Sequence, residues 1–229
     1  MPKRDYITEI LARKGRHHKR GSRWQHAARR LLELSYAFKH IDTPNQAPKR
    51  ARDELFRYMP VAHVAAFKGF CRLAYADLIN FGDPFLTNAR ALKDLRFSIE
   101  PVLAVEGGFA SGGELIAHLL PHKSASDVQR NFSTLLGEDF MKKLESESFT
   151  PHDSDEPFPM AEISEAIWRG LHRIFEMRHI ICHELATKVH FSPREIKEVT
   201  QQCVVFVIVT EQLLTRTLAE TANRPANSR

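Results

Sequence analysis

Apolar residues recur at helical spacing through most of the chain, and no stretch alternates strictly for long enough to predict a strand. Between 60 and 81, the positions Val61, Val64, Ala65, Cys71, Ala74, Tyr75 and Leu78 mark one helix, which Gly82-Asp83-Pro84 ends. A shorter helix is expected over 87–99. Gly107-Gly108 and Gly112-Gly113 bracket a loop, and helices are expected over 113–120, 126–136 and 138–146. Residues 146–159, rich in Ser, Asp, Glu and Pro, read as a polar loop. Two long helices follow, the first from about residue 160 to the mid-180s. The second starts with Ser192 as N-cap, Pro193 at N1 and Glu195 at N3, the pattern of a capping box. It then passes through Cys203 to Val209, an unbroken apolar run that suits a helix surrounded by others. The pattern predicts an all-α helical domain over 51–222, a helical extension over 1–50, and a disordered tail over 223–229, with disorder setting in from Thr221.

The extension reads as two helices, 5–14 and 22–39, with Ser22 capping the second. Ala27, Leu31, Leu34, Ala37 and Phe38 make one apolar stripe, and Pro44 and Pro48 punctuate a linker over 43–49. Charge changes the picture of this segment. Residues 1–50 carry a net +9 and the remainder −4, giving +5 overall. Arg13, Lys14, Arg16, Lys19, Arg20 and Arg23 form a basic block that can bind a polyanion such as RNA; the same charges can equally be a solvated face. Trp24 and Tyr36 can stack on bases or dock on the domain behind them.

Cys71, Cys182 and Cys203 are odd in number, widely spaced and without CxxC spacing, which argues against a disulfide framework or zinc knuckle and for a reducing compartment. No signal peptide is apparent, and the Cys203–Val209 run is far shorter than the roughly 20 residues of a membrane span. A cytoplasmic protein without a membrane partner is expected.

The candidate chemistry lies near the end of the helix that starts at Met160. Ile163, Ile167, Leu171, Ile174, Ile181 and Leu185 fall on one stripe, and Arg178 lands inside it. A guanidinium keeps its charge, so burial demands an anion: a structural carboxylate, a substrate phosphate, or escape of the long side chain to the edge. His179 and His183 share another face, with Glu176 three residues before His179. A ferritin-like di-metal site needs a second ExxH helix, which the sequence lacks, and the zincin pattern from His183-Glu184 needs His where Thr187 stands. A single metal on Glu176, His179 and His183 stays open. So does metal-free acid–base catalysis on a phosphodiester, in which His moves protons and Arg stabilises charge on the phosphoryl oxygens.

Arg178-His-Ile-Ile-Cys-His183 resembles the R-x4-H motif of the HEPN superfamily, set at the end of one long helix and followed by a short break and a capped helix. Val61–Phe81 resembles the opening helix, and Phe132–Phe140 the middle segment, of the RiboL-PSP-HEPN type, so that the likeness covers residues 55–222 and leaves 1–50 outside it. The resemblance implies a helical bundle that pairs as a homodimer, with both R-x4-H motifs in one cleft, cutting RNA without metal or cofactor. On the matching positions, His183 would be the catalytic acid/base and Arg178 the phosphate-orienting group, with His179 and Glu176 as accessory residues. It further implies a toxin or antiviral-defence effector, with an antitoxin or defence-system partner. Members regulated by nucleotidyltransferase antitoxins often carry Tyr shortly after the motif His; Glu184 and Leu185 stand here instead. Some members bind nucleic acid or protein without cutting, and a non-catalytic interaction module is the alternative.

Overall fold

The computed structural model describes residues 22–42, 48–92, 99–150, 156–183 and 191–223. Among these residues the fold is all-α apart from one minimal hairpin. In chain order the helices are α1 (Arg23–Asp42), α2 (Lys49–Phe81), α3 (Phe85–Ala89), α4 (Ile99–Glu106), α5 (Gly112–Leu119), α6 (Ala125–Leu136), α7 (Phe140–Glu145), α8 (Met160–His183) and α9 (Pro193–Ala222). Between α7 and α8, β1 (Ser148–Phe149) pairs antiparallel with β2 (Phe158–Pro159), so part of the expected polar loop is a two-residue ladder.

Local chemistry sets the helix ends. Ser22 Oγ accepts from Gln25 N at 3.2 Å while Ser22 N donates to Gln25 Oε1 at 3.0 Å, a reciprocal cap for α1. Ser111 and Glu114 do the same for α5. At α9 only half of the expected capping box forms. Ser192 Oγ accepts from Glu195 N at 3.1 Å, but Glu195 turns its carboxylate to Arg173 of α8 at 2.8 Å. The cross-helix ion pair outcompetes the local bond because a charged donor is the stronger partner for a carboxylate.

Helix α2 begins at Lys49 rather than near residue 60 and carries Pro60 in its interior. Proline removes one intrahelical donor. Burial of Phe56, Met59 and Pro60 itself shows that packing on both sides of the proline holds the helix together. Gly82, at φ 98°, ends α2 in a region open to glycine. Of the helix expected over 87–99, α3 covers the start and ends at Ala89; 93–98 lie outside the described residues, and α4 begins at Ile99. Gly112 and Gly113 do not flank a loop on its far side but open α5.

The core centres on Phe67 of α2, whose ring meets Phe175 of α8 edge-on at 5.8 Å and Phe206 of α9 at 5.7 Å. Phe206 also touches Phe140, which stacks on Phe132 at 4.7 Å, so the small helices α6 and α7 join the same core. Helices α8 and α9 approach closely at Gly170, where an added Cβ would lie 2.8 Å from Gln202 Cβ. Helix α9 is long and apolar enough by length and composition to cross a membrane, which the Cys203–Val209 run alone did not suggest. Its buried residues, from Ile196 to Thr221, face the other helices, which is how a central core helix is used. Thr221 lies buried in α9, so order extends beyond the point where disorder was expected; 224–229 fall outside the described residues.

Helix α1 belongs to this core. Ala27, Leu31, Leu34 and Phe38 are buried in the same cluster as Phe67 and Phe206, and Trp24 packs against it. The boundary expected at residue 50 therefore does not separate two cores. Tyr36 remains exposed.

Candidate active site

The last two turns of α8 carry the R-x4-H residues. Phe175 and Met177 are buried, which fixes this end of the helix on the core and leaves His179, Cys182 and His183 exposed and Arg178 half-buried between the two environments. Arg178 Nη1 lies 3.4 Å from His183 Nε2. A guanidinium only donates, so this approach suits a His183 whose Nε2 is bare and able to accept a proton. The rings of His179 and His183 are 4.9 Å apart, one turn from each other. Arg178 and the two histidines are thus brought together on one surface.

Glu176 is not part of that group. Its carboxylate accepts from Arg173 Nη1 at 2.7 Å, one turn back along α8. Among the described residues no set of three His, Cys, Asp or Glu side chains converges as a metal-binding group, so Glu176, His179 and His183 do not form the single-metal site that their spacing allowed.

The half-buried arginine has no carboxylate within ion-pair distance among the described residues. A lysine of α2 feels its charge. Lys68 of α2 sits with Nζ 5.4 Å from the centroid of the Phe175 ring, three residues before Arg178. Burial holds Lys68 below the usual lysine range, and the positive charges of Arg178 and then Arg72 push it further down. The carboxylate that Lys68 senses, Asp127, is engaged elsewhere: it accepts from Arg130 at 2.6 Å and from Lys123 N at 3.0 Å. Arg72, one turn after Lys68 on α2, donates to His122. Lys68 and Arg72 escaped the sequence reading, although two cations four residues apart inside an apolar helix are a usable signal.

Two cavities among the described residues lie elsewhere. A cavity of about 930 Å³ between Phe38, His63, Phe149 and Val204 is not lined by Arg178 or either motif histidine. Nor is one of about 330 Å³ between α1, α2 and α5, although Arg72 borders it.

The basic block resolves differently. Arg13, Lys14, Arg16, Lys19 and Arg20 lie outside the described residues. Arg23 does not present its charge to a ligand: its side chain is 8% exposed, with Nη1 2.8 Å from Asp77 of α2 and Nε 2.6 Å from Glu211 of α9. Those two carboxylates make it a staple holding α1 on the body, and this replaces the RNA contact expected from its place in a basic run.

Set against protein-family models, curated proteins and solved structures, the chain has no match. The R-x4-H resemblance rests on the chain's own residues.

Proposed function

We propose that this protein is a metal-independent endoribonuclease of HEPN type, acting as a homodimer, with Arg178 and His183 as its catalytic pair. One observation carries the reading: a half-buried arginine that meets no carboxylate among the described residues stands 3.4 Å from an exposed histidine in R-x4-H spacing. RNA supplies its own nucleophile, the 2′-hydroxyl. His183 takes that proton or returns one to the departing 5′-oxygen. Arg178 binds the phosphoryl oxygens and stabilises the charge that builds on them. The bond from phosphorus to the 5′-oxygen breaks as the bond to the 2′-oxygen forms, leaving a 2′,3′-cyclic phosphate and a 5′-hydroxyl. A single protomer offers few such groups, and its two histidines are exposed. Two-fold pairing would place a second Arg178, His179 and His183 opposite the first and enclose the cleft.

The test is cleavage of single-stranded RNA in EDTA by the purified full chain, with product ends identified and mass measured by light scattering. Cyclic phosphate ends from a dimer are expected. Loss of cleavage on removing divalent ions, or cleavage by a monomer at micromolar concentration, would contradict the proposal. A non-catalytic RNA-binding module would bind the same strand and leave it whole.

A further inference from the structure

The cavity of about 930 Å³ is bounded by the C-terminal half of α1, by α2, by β1 and by the first half of α9. Along α9 its wall changes character in order. Lys197, Thr200 and Gln201 line one end, and Val204, Val205 and Ile208 line the other. Lys197 and Ile208 stand about 16 Å apart along the helix axis. Phe38 of α1 and Phe149 of β1 add apolar wall. His63 of α2 brings no charge to it: Nδ1 donates to the Met59 carbonyl at 2.9 Å, and burial disfavours the protonated ring. Among the described residues no carboxylate lines the cavity, and Lys197 makes no ion pair. Lys39 borders the cavity too but is engaged with another group, so Lys197 is the charge that a ligand can meet.

We propose that this cavity binds a fatty-acid-like anion, with its hydrocarbon chain along Val204, Val205 and Ile208 and its carboxylate on Lys197. The order of the wall matches such a molecule end for end: one cation, two neutral polar side chains, then hydrocarbon. Its size suits a small-molecule site, in which apolar walls give affinity and a few placed polar groups give orientation. Water against the apolar end is released when the chain takes its place. Arg178 and the motif histidines do not line the cavity, so the inference stands apart from the ribonuclease reading. An occupant would touch both Phe38 of α1 and Val204 of α9, and so would hold α1 to the body at the end away from Arg23.

The experiment is isothermal titration calorimetry of the full chain with dodecanoate below its micelle-forming concentration, beside decanoate and dodecanol. One dodecanoate per chain is expected, with a higher melting temperature for the occupied protein. Decanoate, two carbons shorter, should bind about tenfold more weakly. Lys197→Gln should weaken dodecanoate about tenfold and leave dodecanol unchanged, as for loss of one charged hydrogen bond. Lys197→Arg should keep the preference for the acid. Arg194→Gln, the same charge change on α9 outside the cavity, should bind as the wild type does. Ile208→Trp fills the apolar end and should abolish binding of acid and alcohol alike. If circular dichroism shows that this variant does not fold, the smaller Val204→Phe gives the same reading. No heat from dodecanoate overturns the proposal, whether the cavity stays empty or is closed by a second copy of the chain. Equal affinity of the wild type for dodecanoate and dodecanol overturns the choice of an anion. Several molecules bound per chain, unaffected by the filled cavity, overturn the site, because they mark general adsorption to exposed apolar side chains.

Discussion

Two partly buried arginines divide this molecule into two kinds of surface. Where α1 meets the body, Arg23 lies between Asp77 and Glu211, each within 2.8 Å. Elsewhere on the helical bundle Arg173 joins Glu176 to Glu195, and Arg216 holds Glu147. At the end of α8 the rule fails. Arg178 faces His183, and Lys68 of α2 feels its positive charge. A chain selected only for folding would place a carboxylate here, since isolated charge near the interior costs free energy. Charges that are matched hold the fold; an arginine without a carboxylate partner among the described residues is where an external anion belongs.

The largest expected contrast comes from removing each arginine in turn. Arg178→Ala and His183→Ala should each lower RNA cleavage by about a thousandfold or more, as for loss of a group acting in the transition state, with thermal stability near that of the wild type. Arg23→Ala should do the opposite. It leaves Asp77 and Glu211 facing each other without a cation and should cost about 2–3 kcal/mol of stability, read as a lower denaturant midpoint, while the folded fraction still cuts. If Arg178→Ala melts the protein and spares cleavage, the two surfaces have been assigned the wrong way round.

A smaller effect concerns pH. His63 of α2 is 2% exposed, and burial holds it below the usual histidine range despite its bond to the Met59 carbonyl at 2.9 Å; the charge of Arg30 pushes the same way as burial. The unfolded chain therefore takes up a proton before the folded one does. Stability should be complete above a pH of about 6.5 and should fall as pH drops below it, by at most about 1.4 kcal/mol per pH unit for this group. Urea midpoints between pH 8 and 5 for wild type and His63→Leu should diverge, with the variant flatter. Parallel curves would show that another group governs acid sensitivity.

The smallest effect has a sign that ordinary lysine substitutions do not share. Because burial, and then the positive charges of Arg178 and Arg72, oppose the charged form of Lys68, Lys68→Met should raise stability slightly, by less than about 1 kcal/mol. A destabilised Lys68→Met would mean that packing on Phe175, rather than unmatched charge, is what the side chain contributes.

Which of these features the sequence exposed follows from their range. Helical periodicity and end signals are local, so α6, α7, α8 and α9 and the Ser192 cap were legible within a residue or two. Arg178 and His183 were singled out by the R-x4-H resemblance; helical spacing put them on different faces, so the 3.4 Å approach of their side chains was not legible in the pattern. The start of α2 was less legible: it lies at Lys49 rather than near residue 60, and the burial of Phe56 and Met59 keeps the helix continuous through Pro60. Arg23 was opaque for another reason. Its neighbours in sequence are basic, and its real partners are 54 and 188 residues away. Glu195 likewise read as the second half of a local cap until Arg173, from the preceding helix, claimed it. Electrostatic partners at long range are the part of a structure that a linear pattern does not carry.

The most direct measurement of the central claim is the integrity of total RNA after induced expression of the full chain, beside its His183→Ala variant at equal protein level. The account predicts fragmented RNA carrying cyclic phosphate ends for the wild type and intact RNA for the variant. Intact RNA from both, or equal fragmentation from both, would contradict it.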